Sequence, residues 1–301
     1  MTGCATPGFR AGAPEGAIDV IAHRGASAYA PENTLAAFAL AADMKADWFE
    51  LDCTLTKDGE VLVIHDSDIE RTTGRLGNVK DLTLAQLKTL DAGSWKNPKF
   101  AGEPLPTLGE ALDLAKERKI GVYVEIKNSD DDNQLMTEII RMTDGHNTLR
   151  PRIKRQLLSM IRDSGSRNFV LTQKAIELIR DRDMGPQVVI QSFSPIICAV
   201  ALLEAPEIRT ELLASKDEKK PHHWPLYLRW AELLKPHGFN TNNDSLDEAL
   251  LAQLHGQGMT MAVWTVDEEA DMRRLAQWGV GAIITNKPDV CLQVLQAEGK
   301  R

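Results

Sequence analysis

The feature that most constrains the fold is an alternation of short apolar segments with amphipathic segments along nearly the whole chain. The short segments are rich in β-branched residues and bounded by turn residues, which is typical of βα units around a parallel sheet. Strands are predicted at residues 18–23, 48–54, 121–127, 188–193, 208–213, 239–242, 259–266 and 281–285. Helices are predicted at residues 34–46, with Asn33 as the cap of this first helix, and at residues 108–118, 131–142, 247–255, 268–278 and 289–297. Eight strands with interleaved helices favour an α/β fold of the (β/α)8 TIM barrel type, whose chemistry lies at the C-terminal ends of the strands.

Two segments break the alternation. After the second strand, the sequence TKDGEVLVIHD indicates a hairpin with its turn at Asp58-Gly59 and a returning strand at residues 61–65. A small inserted subdomain is therefore predicted at about residues 56–106, within a single barrel domain of residues 18–301 that follows a flexible segment of residues 1–17. Residues 215–236 carry a charge run and many aromatic residues, and we expect a surface loop or lid there.

Composition narrows the classes of function. The formal net charge is -8, which argues against a nucleic-acid-binding protein because such proteins cluster Lys and Arg on one surface. A protein of this charge that handles phosphate needs local positive charge, from a few basic side chains or from a bound cation. No segment is long and apolar enough to predict stable insertion into a membrane.

The cysteines are widely spaced and do not form a metal-binding pattern, so most are interpreted as small core residues. They are Cys4, Cys53, Cys198 and Cys291. Thr2-Gly3-Cys4 is similar to the end of a bacterial lipoprotein cleavage box, but a loose terminus rich in Gly, Ala and Pro is the interpretation that the sequence favours. Localisation therefore stays open between a cytoplasmic protein and a periplasmic, lipid-anchored one.

Acidic residues stand at the ends of two predicted strands. Alternation along a strand puts Glu50 and Asp52 on one face and Leu51 on the other. Two acids that face the inside of a barrel are costly unless a positive charge neutralises them. Glu125 stands at the end of the next strand, and three carboxylates form an all-oxygen site suited to Ca²⁺ or Mg²⁺.

Basic residues and histidines stand at the same strand ends. His23 and Arg24 end the first strand, Lys127 ends the third beside Glu125, and His65 ends the returning strand of the hairpin. Two histidines that flank a phosphodiester could take a proton from the attacking hydroxyl and give one to the leaving alkoxide. Lys127 offers a point charge to the phosphate. The pattern predicts a metal-dependent phosphodiesterase.

Six motifs occur in order along the chain: AHRGASAYAPENT, FELDCTLTKDGEVLVIHD, VEIK, QSFSP, VWTVD and IITNKP. In this set and order the sequence resembles the glycerophosphodiester phosphodiesterase family, from about residue 18 to residue 289. The resemblance implies a (β/α)8 barrel with an insertion after strand two. It also implies hydrolysis of glycerophosphodiesters to sn-glycerol 3-phosphate and an alcohol such as choline or ethanolamine.

The resemblance also implies roles for individual residues, which we carry over position by position. His23 and His65 match the acid/base pair of the family; we expect His23 to be the base and His65 the acid. The matches to the metal ligands are Glu50, Asp52 and Glu125. Arg24 and Lys127 match residues that contact phosphate, and Trp264 matches an aromatic residue near the substrate's glycerol.

The chain departs from the family pattern in three places. Asn286 stands where the family often has Asp after the Thr, and Asp267 stands where it often has Asn. Both are expected at the rim of the site, where they bear on substrate choice rather than on the reaction. Trp224, Tyr227 and Trp230 match nothing in the family, and they are interpreted as ordinary packing, a lid, an oligomer contact or a site for an acyl chain.

Two other functions fit the same residues. A lysophospholipase D would use them on a lipid substrate and would differ at the mouth of the barrel. A barrel that has lost its chemistry would only bind a ligand or partner. The sequence leaves open whether water attacks the phosphorus directly or a substrate hydroxyl attacks first to give a cyclic phosphate, and it does not indicate an oligomeric state.

Overall fold

The computed structural model describes residues 16–130, 132–143 and 151–301, so the expectations for Cys4 and for most of residues 1–17 lie outside the described residues. One sheet contains all the strands of these ranges. They are β1 Asp19–Ala22, β2 Trp48–Leu55, β3 Val61–Val63, β4 Gly121–Ile126, β5 Val188–Ser192, β6 Arg209–Ala214, β7 Gly238–Asn242, β8 Ala262–Trp264 and β9 Ala282–Thr285.

The sheet closes into a barrel. Its strand order is β1-β9-β8-β7-β6-β5-β4-β2-β3, and β1 also pairs with β2. The eight strands other than β3 are parallel neighbours, whereas β3 runs antiparallel to β2 from Cys53 opposite Val63 to Leu55 opposite Val61. The predicted (β/α)8 barrel with a small insertion after strand two is confirmed. Each predicted barrel strand overlaps an observed one, although β8 is shorter than predicted.

Helices lie between the barrel strands. They are α1 Leu35–Asp43, α2 Glu70–Thr73, α3 Leu84–Leu87, α4 Leu108–Arg118, α5 Asn133–Met142, α6 Pro151–Asp163, α7 Arg167–Arg180, α8 Pro195–Glu204, α9 His223–Leu234, α10 Glu248–Gly256, α11 Glu269–Trp278 and α12 Pro288–Ala297. The six predicted helices correspond to α1, α4, α5, α10, α11 and α12. The helices α6 to α8 were not predicted. The sequence of α8 is apolar on nearly every side and mostly buried, so it lacks the polar stripe that identifies a surface helix.

The prediction of a loop or lid at residues 215–236 is wrong for its second half, where α9 spans twelve residues. Pro225 lies in the first turn of α9, a position that tolerates proline because its missing N–H would have no partner inside the helix. Trp230 is fully buried, and the Trp224 ring meets Phe239 edge to face at 5.8 Å. Tyr227 is partly buried against the same core. Packing therefore accounts for these aromatic residues.

The insertion after β2 has a small apolar core of its own. This core consists of Leu62, Ile64, Ile69, Val79, Leu87, Ala92 and Leu105. The hairpin is fixed to the barrel by its backbone, because the Ile64 N–H donates to the Asp52 carbonyl oxygen at 2.9 Å. The next residue, His65, is thereby held beside the end of β2.

The two faces of β2 meet different surroundings. Leu51 is fully buried in the apolar layer that includes Phe38 of α1 and Ala111 of α4, so it faces the helices. Because side chains alternate along a strand, Glu50 and Asp52 face the interior of the barrel. Both are buried, as the alternation predicted.

Two further predictions concerned membrane-spanning segments and the cysteines. In the ranges that the structure describes, no helix combines the length and the apolar character that crossing a membrane requires. Cys53, Cys198 and Cys291 are buried and free, which agrees with their interpretation as core residues.

Candidate active site

A cavity of about 200 Å³ lies inside the barrel at the C-terminal ends of the strands. Seven of the eight residues that the sequence singled out line it: His23, Arg24, Glu50, His65, Glu125, Lys127 and Trp264. The eighth, Asp52, is buried and contacts two of these residues. The sequence did not identify the other lining residues, Gln191, Phe193, Leu213, Thr265 and Ile284.

Three carboxylates converge beside this cavity. In the β2–β4 pairing Asp52 lies opposite Glu125, and Glu50 stands two residues earlier on the same face of β2. One carboxylate oxygen from each of the three lies within 4.8 Å of the others, and all three residues are buried. An all-oxygen set of this kind suits a hard divalent cation rather than zinc.

The three carboxylates repel one another when they are ionised, and this repulsion shifts their pKa values. Burial and the neighbouring carboxylates raise the pKa of Glu50 well above its ordinary value. Burial and Asp52 likewise raise the pKa of Glu125 to about 7, although Lys127 opposes the shift. Burial would raise the pKa of Asp52 too, but Lys127 and Arg24 outweigh it and hold that pKa at about 2. The site thus carries more acid groups than its own cations neutralise, and the acidic triad could hold a divalent cation.

Lys127 lines the cavity and contacts two members of the acidic triad. Its Nζ is 2.8 Å from Glu125 Oε1 and 3.3 Å from Asp52 Oδ1. Burial alone would lower the pKa of Lys127, but the two carboxylates hold it above its ordinary value. The ammonium group is therefore charged, and it is open enough to meet an anionic ligand.

A tight turn places Arg24 against the acidic triad. Its φ angle is +55°, and that of Gly25 is +80°. A Cβ atom on Gly25 would lie 2.6 Å from the backbone carbonyl carbon of Ala37, so only glycine fits at this position. The turn directs the Arg24 N–H to Glu50 Oε2 at 2.9 Å, while its Nε lies 3.3 Å from Asp52 Oδ2.

Asn33 has a different role from the one predicted. The sequence indicated Asn33 as the cap of the first helix, but the cap is Thr34, whose hydroxyl oxygen accepts from the Ala37 N–H. The Asn33 side chain instead donates to Asp52 Oδ2 at 2.8 Å and accepts from the Asp52 N–H at 3.2 Å. Asn33 has a φ of +57°, so its backbone is in the left-handed region, which Asn tolerates better than most residues. The prediction missed this contact because a capping Asn and one that reaches another strand look alike in sequence.

His23 is enclosed by the barrel. Its Nδ1 lies 2.8 Å from Asn286 Oδ1, which belongs to the residue that follows β9. Burial and the adjacent Arg24 charge lower the pKa of His23 to about 4, despite the Asn286 hydrogen bond. The prediction that Asn286 lies at the rim, apart from the catalytic residues, is wrong, because β1 and β9 are neighbours and their ends meet.

His65 belongs to the insertion and is oriented by a chain of charges. Its Nδ1 lies 2.7 Å from Asp66 Oδ1, and Asp66 Oδ2 accepts from Arg71 Nε at 2.6 Å. Arg71 also donates through both terminal nitrogens to Glu32 at 2.8 Å, and Glu32 accepts from Arg24 at 2.8 Å. This chain joins the insertion to the barrel, and the sequence analysis did not identify its members Glu32, Asp66 and Arg71.

Aromatic residues form another part of the cavity wall. Trp264, at the end of β8, meets Phe193 edge to face with ring centroids 5.5 Å apart. Both rings line the cavity. They offer an apolar surface across which the carbon atoms of a ligand could pack.

Comparison with known proteins decides the family. The sequence model of the "Glycerophosphoryl diester phosphodiesterase family" matches residues 23–290. The chain belongs to the glycerophosphodiester phosphodiesterase family. A glycerophosphodiester phosphodiesterase of Bacillus subtilis strain 168 is 32% identical over 292 residues, which cover 91% of this chain and 85% of the relative. Another, from Caldanaerobacter subterraneus subsp. tengcongensis, is 34% identical over 280 residues, which cover 93% and 98%.

Solved structures of glycerophosphodiester phosphodiesterases share the fold. The glycerophosphodiester phosphodiesterase of Agrobacterium tumefaciens strain C58 has a TM-score of 0.67 at 25% identity, and the match covers 92% of this chain and 99% of the other. A phosphodiesterase of Oleispira antarctica, solved with the product sn-glycerol-3-phosphate, has a TM-score of 0.73 at 24% identity and covers 93% and 97%. The family recognised from six motifs is therefore confirmed, and with it membership in a family of hydrolases.

Proposed function

We propose that this chain hydrolyses glycerophosphodiesters to sn-glycerol 3-phosphate and an alcohol by general acid-base catalysis with His23 and His65. One observation carries the proposal: two histidines from separate parts of the fold meet in one cavity with a buried acidic triad and a lysine. The product complex of the Oleispira antarctica relative supports the substrate class.

Glu50, Asp52 and Glu125 would hold Ca²⁺ or Mg²⁺. When bound, such a cation offsets negative charge that develops on the phosphoryl group and lowers the pKa of a nearby hydroxyl. Lys127 supplies a second positive charge to the same oxygens, and Arg24 keeps Asp52 ionised. The diester is thereby bound and oriented before any proton moves.

The two histidines divide the proton transfers. His23 is neutral near pH 7, since its pKa is about 4, so its free ring nitrogen can take the proton from the attacking hydroxyl. As the new P–O bond forms and the bond to the leaving alcohol breaks, His65 gives a proton to the departing oxygen. Asp66 provides the protonated His65 ring with a negatively charged partner. If a substrate hydroxyl attacks first, the same residues then hydrolyse the cyclic phosphate.

Product analysis tests the proposal directly. Glycerophosphocholine is incubated with protein stripped by EDTA and then given Ca²⁺ or Mg²⁺, and sn-glycerol 3-phosphate and choline are measured. We expect no turnover after chelation and recovery with at least one cation. Glu125→Gln should weaken cation binding and turnover together, whereas Glu117→Gln, on the exposed surface of α4, should change neither. Full turnover of the chelated protein would overturn the metal assignment.

Lysophospholipase D activity is the second candidate, and a neighbouring cavity favours it. This cavity of about 220 Å³ shares Phe193 with the active site, and Leu226 and Tyr227 of α9 line it. Asn128, Lys220 and His223 also line this cavity, so an acyl chain could pack along the apolar side chains of one part of it. Leu226→Asp should then reduce turnover of a lysolipid but leave that of glycerophosphocholine unchanged. Equal rates of lysolipid turnover in wild type and Leu226→Asp would show that this cavity does not bind the acyl chain. If the protein turns over no diester at all, a barrel that only binds ligands would be favoured.

A further inference from the structure

Asn286 and Asp267 form a hydrogen-bonded pair behind His23. The Asn286 amide nitrogen donates to Asp267 Oδ2 at 2.6 Å, and its Oδ1 lies 2.8 Å from His23 Nδ1. The Ser27 hydroxyl donates to the same Oδ1 at 2.7 Å. Asn286 therefore stands between a carboxylate on one side and the histidine ring on the other.

Asp267 fixes which way the Asn286 amide points. A carboxylate only accepts hydrogen bonds, so the side of Asn286 that meets Asp267 must be its NH₂ group. Asp267 itself cannot turn, because its Oδ1 accepts from the Asn286 backbone N–H at 2.8 Å and from the Thr285 hydroxyl at 2.9 Å. The amide oxygen of Asn286 consequently faces His23 and Ser27.

The direction of the amide decides which nitrogen of His23 carries a proton. An amide oxygen only accepts hydrogen bonds, so the His23 Nδ1 beside it must be the donor. A neutral imidazole carries one proton, and when that proton is on Nδ1 the lone pair is on Nε2. The hydrogen bonds that link Asp267 to Asn286 and Asn286 to His23 thus leave Nε2 as the His23 nitrogen that can accept a proton.

We propose that Asn286 and Asp267 are positioning residues that hold His23 in the Nδ1–H tautomer, with Nε2 available as the base. The inference rests on the proposed function of His23. It also explains the two departures from the family pattern together: Asp and Asn have exchanged places, so the pair still contains one carboxylate and one amide. In this chain the neutral amide contacts the histidine and the carboxylate lies one step further away.

Nitrogen NMR tests the tautomer without measuring activity. In uniformly ¹⁵N-labelled protein at pH 7, the His23 ring, assigned by comparison with His23→Gln, should show a protonated Nδ1 and an unprotonated Nε2. Asn286→Leu, which has a similar size but no acceptor, should show a mixture of the two tautomers. A wild-type ring protonated on Nε2 would overturn the inference, and so would an unchanged Nδ1–H tautomer in Asn286→Leu.

The positioning role is tested by the turnover kinetics of single variants and of a double variant in which Asn286 and Asp267 are exchanged. Asn286→Ala should lower kcat on glycerophosphocholine about 10- to 100-fold and change KM less than about twofold, as expected of residues that orient a functional side chain. Asp267→Asn should lower kcat similarly, because its amide no longer forces the Asn286 oxygen toward His23. The double variant Asp267→Asn/Asn286→Asp restores one acceptor for Nδ1 and should recover most of the loss. No recovery in a double variant that is folded by circular dichroism would contradict the inference.

A further comparison separates this inference from the proposed function. If His23→Ala retains wild-type turnover, the proposed function fails. If His23→Ala is inactive but Asn286→Ala turns over at the wild-type rate, only the positioning role fails.

Discussion

The two histidines of the site are held by regions of different character. His23 directly follows the barrel strand β1, is half-buried in the cavity wall and contacts a neutral amide. His65 follows a strand of the insertion, is about one third exposed at 33% and contacts a carboxylate. The comparison shows how one fold gives two identical side chains different surroundings: burial beside the Arg24 charge lowers the pKa of His23, whereas the His65 ring lies against the Asp66 carboxylate.

The two regions also differ in how they are held. His23 is fixed by the barrel itself, because its backbone N–H donates to the Thr285 carbonyl oxygen across the β1–β9 pairing. The backbone next to His65 is also held by the barrel, through the Ile64 N–H, but the His65 ring is oriented by side chains whose contacts, from Asp66 through Arg71 to Glu32, are ionic and partly exposed. Burial would raise the pKa of Asp66, but hydrogen bonds from Arg71 and His65 outweigh it and lower that pKa, so the carboxylate stays charged. Substitution of a side chain that only orients His65 should therefore lower turnover less than substitution of either histidine.

Replacing each histidine should give the largest effects and show which is the base. His23→Ala should lose about 100- to 10,000-fold in kcat/KM on both glycerophosphocholine and a p-nitrophenyl diester of glycerol phosphate, because both need an activated nucleophile. His65→Ala should lose as much on glycerophosphocholine but far less on the aryl diester, since p-nitrophenolate leaves without a proton. The ratio of the two rates in each variant is the measurement. A reversed ratio would mean that His65 is the base and His23 the acid. Equal losses on the two substrates in both variants would contradict the proposed division of roles.

Removing the charge of Lys127 should give the next largest effect. Lys127→Met deletes a charge that we propose meets the phosphoryl oxygens, and we expect a loss of about 100-fold in kcat/KM at saturating Ca²⁺ or Mg²⁺. Lys88→Met is the matched control, because Lys88 pairs with Glu110 on the surface and should leave turnover unchanged. Wild-type kinetics for Lys127→Met would show that its ammonium group does not contact the substrate.

Breaking the ionic chain of the insertion should have a smaller effect. Arg71→Met removes the group that joins Asp66 to Glu32, so we expect a loss of about 10-fold in kcat/KM on glycerophosphocholine and little change on the p-nitrophenyl diester. The reason is that only His65, the proposed acid, loses its orientation. Arg118→Met, which breaks an exposed pair with Asp43, is the control. Equal losses on the two substrates would show that Arg71 does not orient His65.

The smallest effect is on stability and concerns His23 alone. The unfolded chain binds a proton at His23 near its ordinary pKa of 6.5, whereas the folded chain does so only near 4. Between these values the unfolded state binds more protons, so stability is greatest above pH 6.5 and falls as the pH falls toward 4. In EDTA, urea unfolding should show that wild type loses about 1 to 2 kcal/mol more than His23→Gln between pH 6.5 and pH 5, given about 1.4 kcal/mol per unit of pKa shift. Equal losses in the two proteins would contradict the lowered pKa.

Several features of the site follow from local sequence alone. Alternation along β2 put Leu51 against the helices and two carboxylates inside the barrel, and the same argument applied to β4 added Glu125. Parallel strands end at the same side of a barrel, so these residues were bound to meet once the eight strands were recognised. Asp58-Gly59 likewise indicated the hairpin that carries His65. These inferences held because each depends on periodicity or turn chemistry over a few residues.

What the sequence could not determine are the contacts between residues far apart in the chain. Asn286 lies 263 positions from His23, and the two meet only because the barrel closes with β9 beside β1. Arg71 and Glu32 are 39 positions apart, and the way the insertion packs on the barrel decides that they pair. The sequence alone does not tell whether an Asn after a strand contacts solvent or a histidine, because the direction of its side chain depends on strand register and barrel closure. The sequence by itself therefore determined which side chains gather at the ends of the strands, and the tertiary structure decided which groups each histidine contacts.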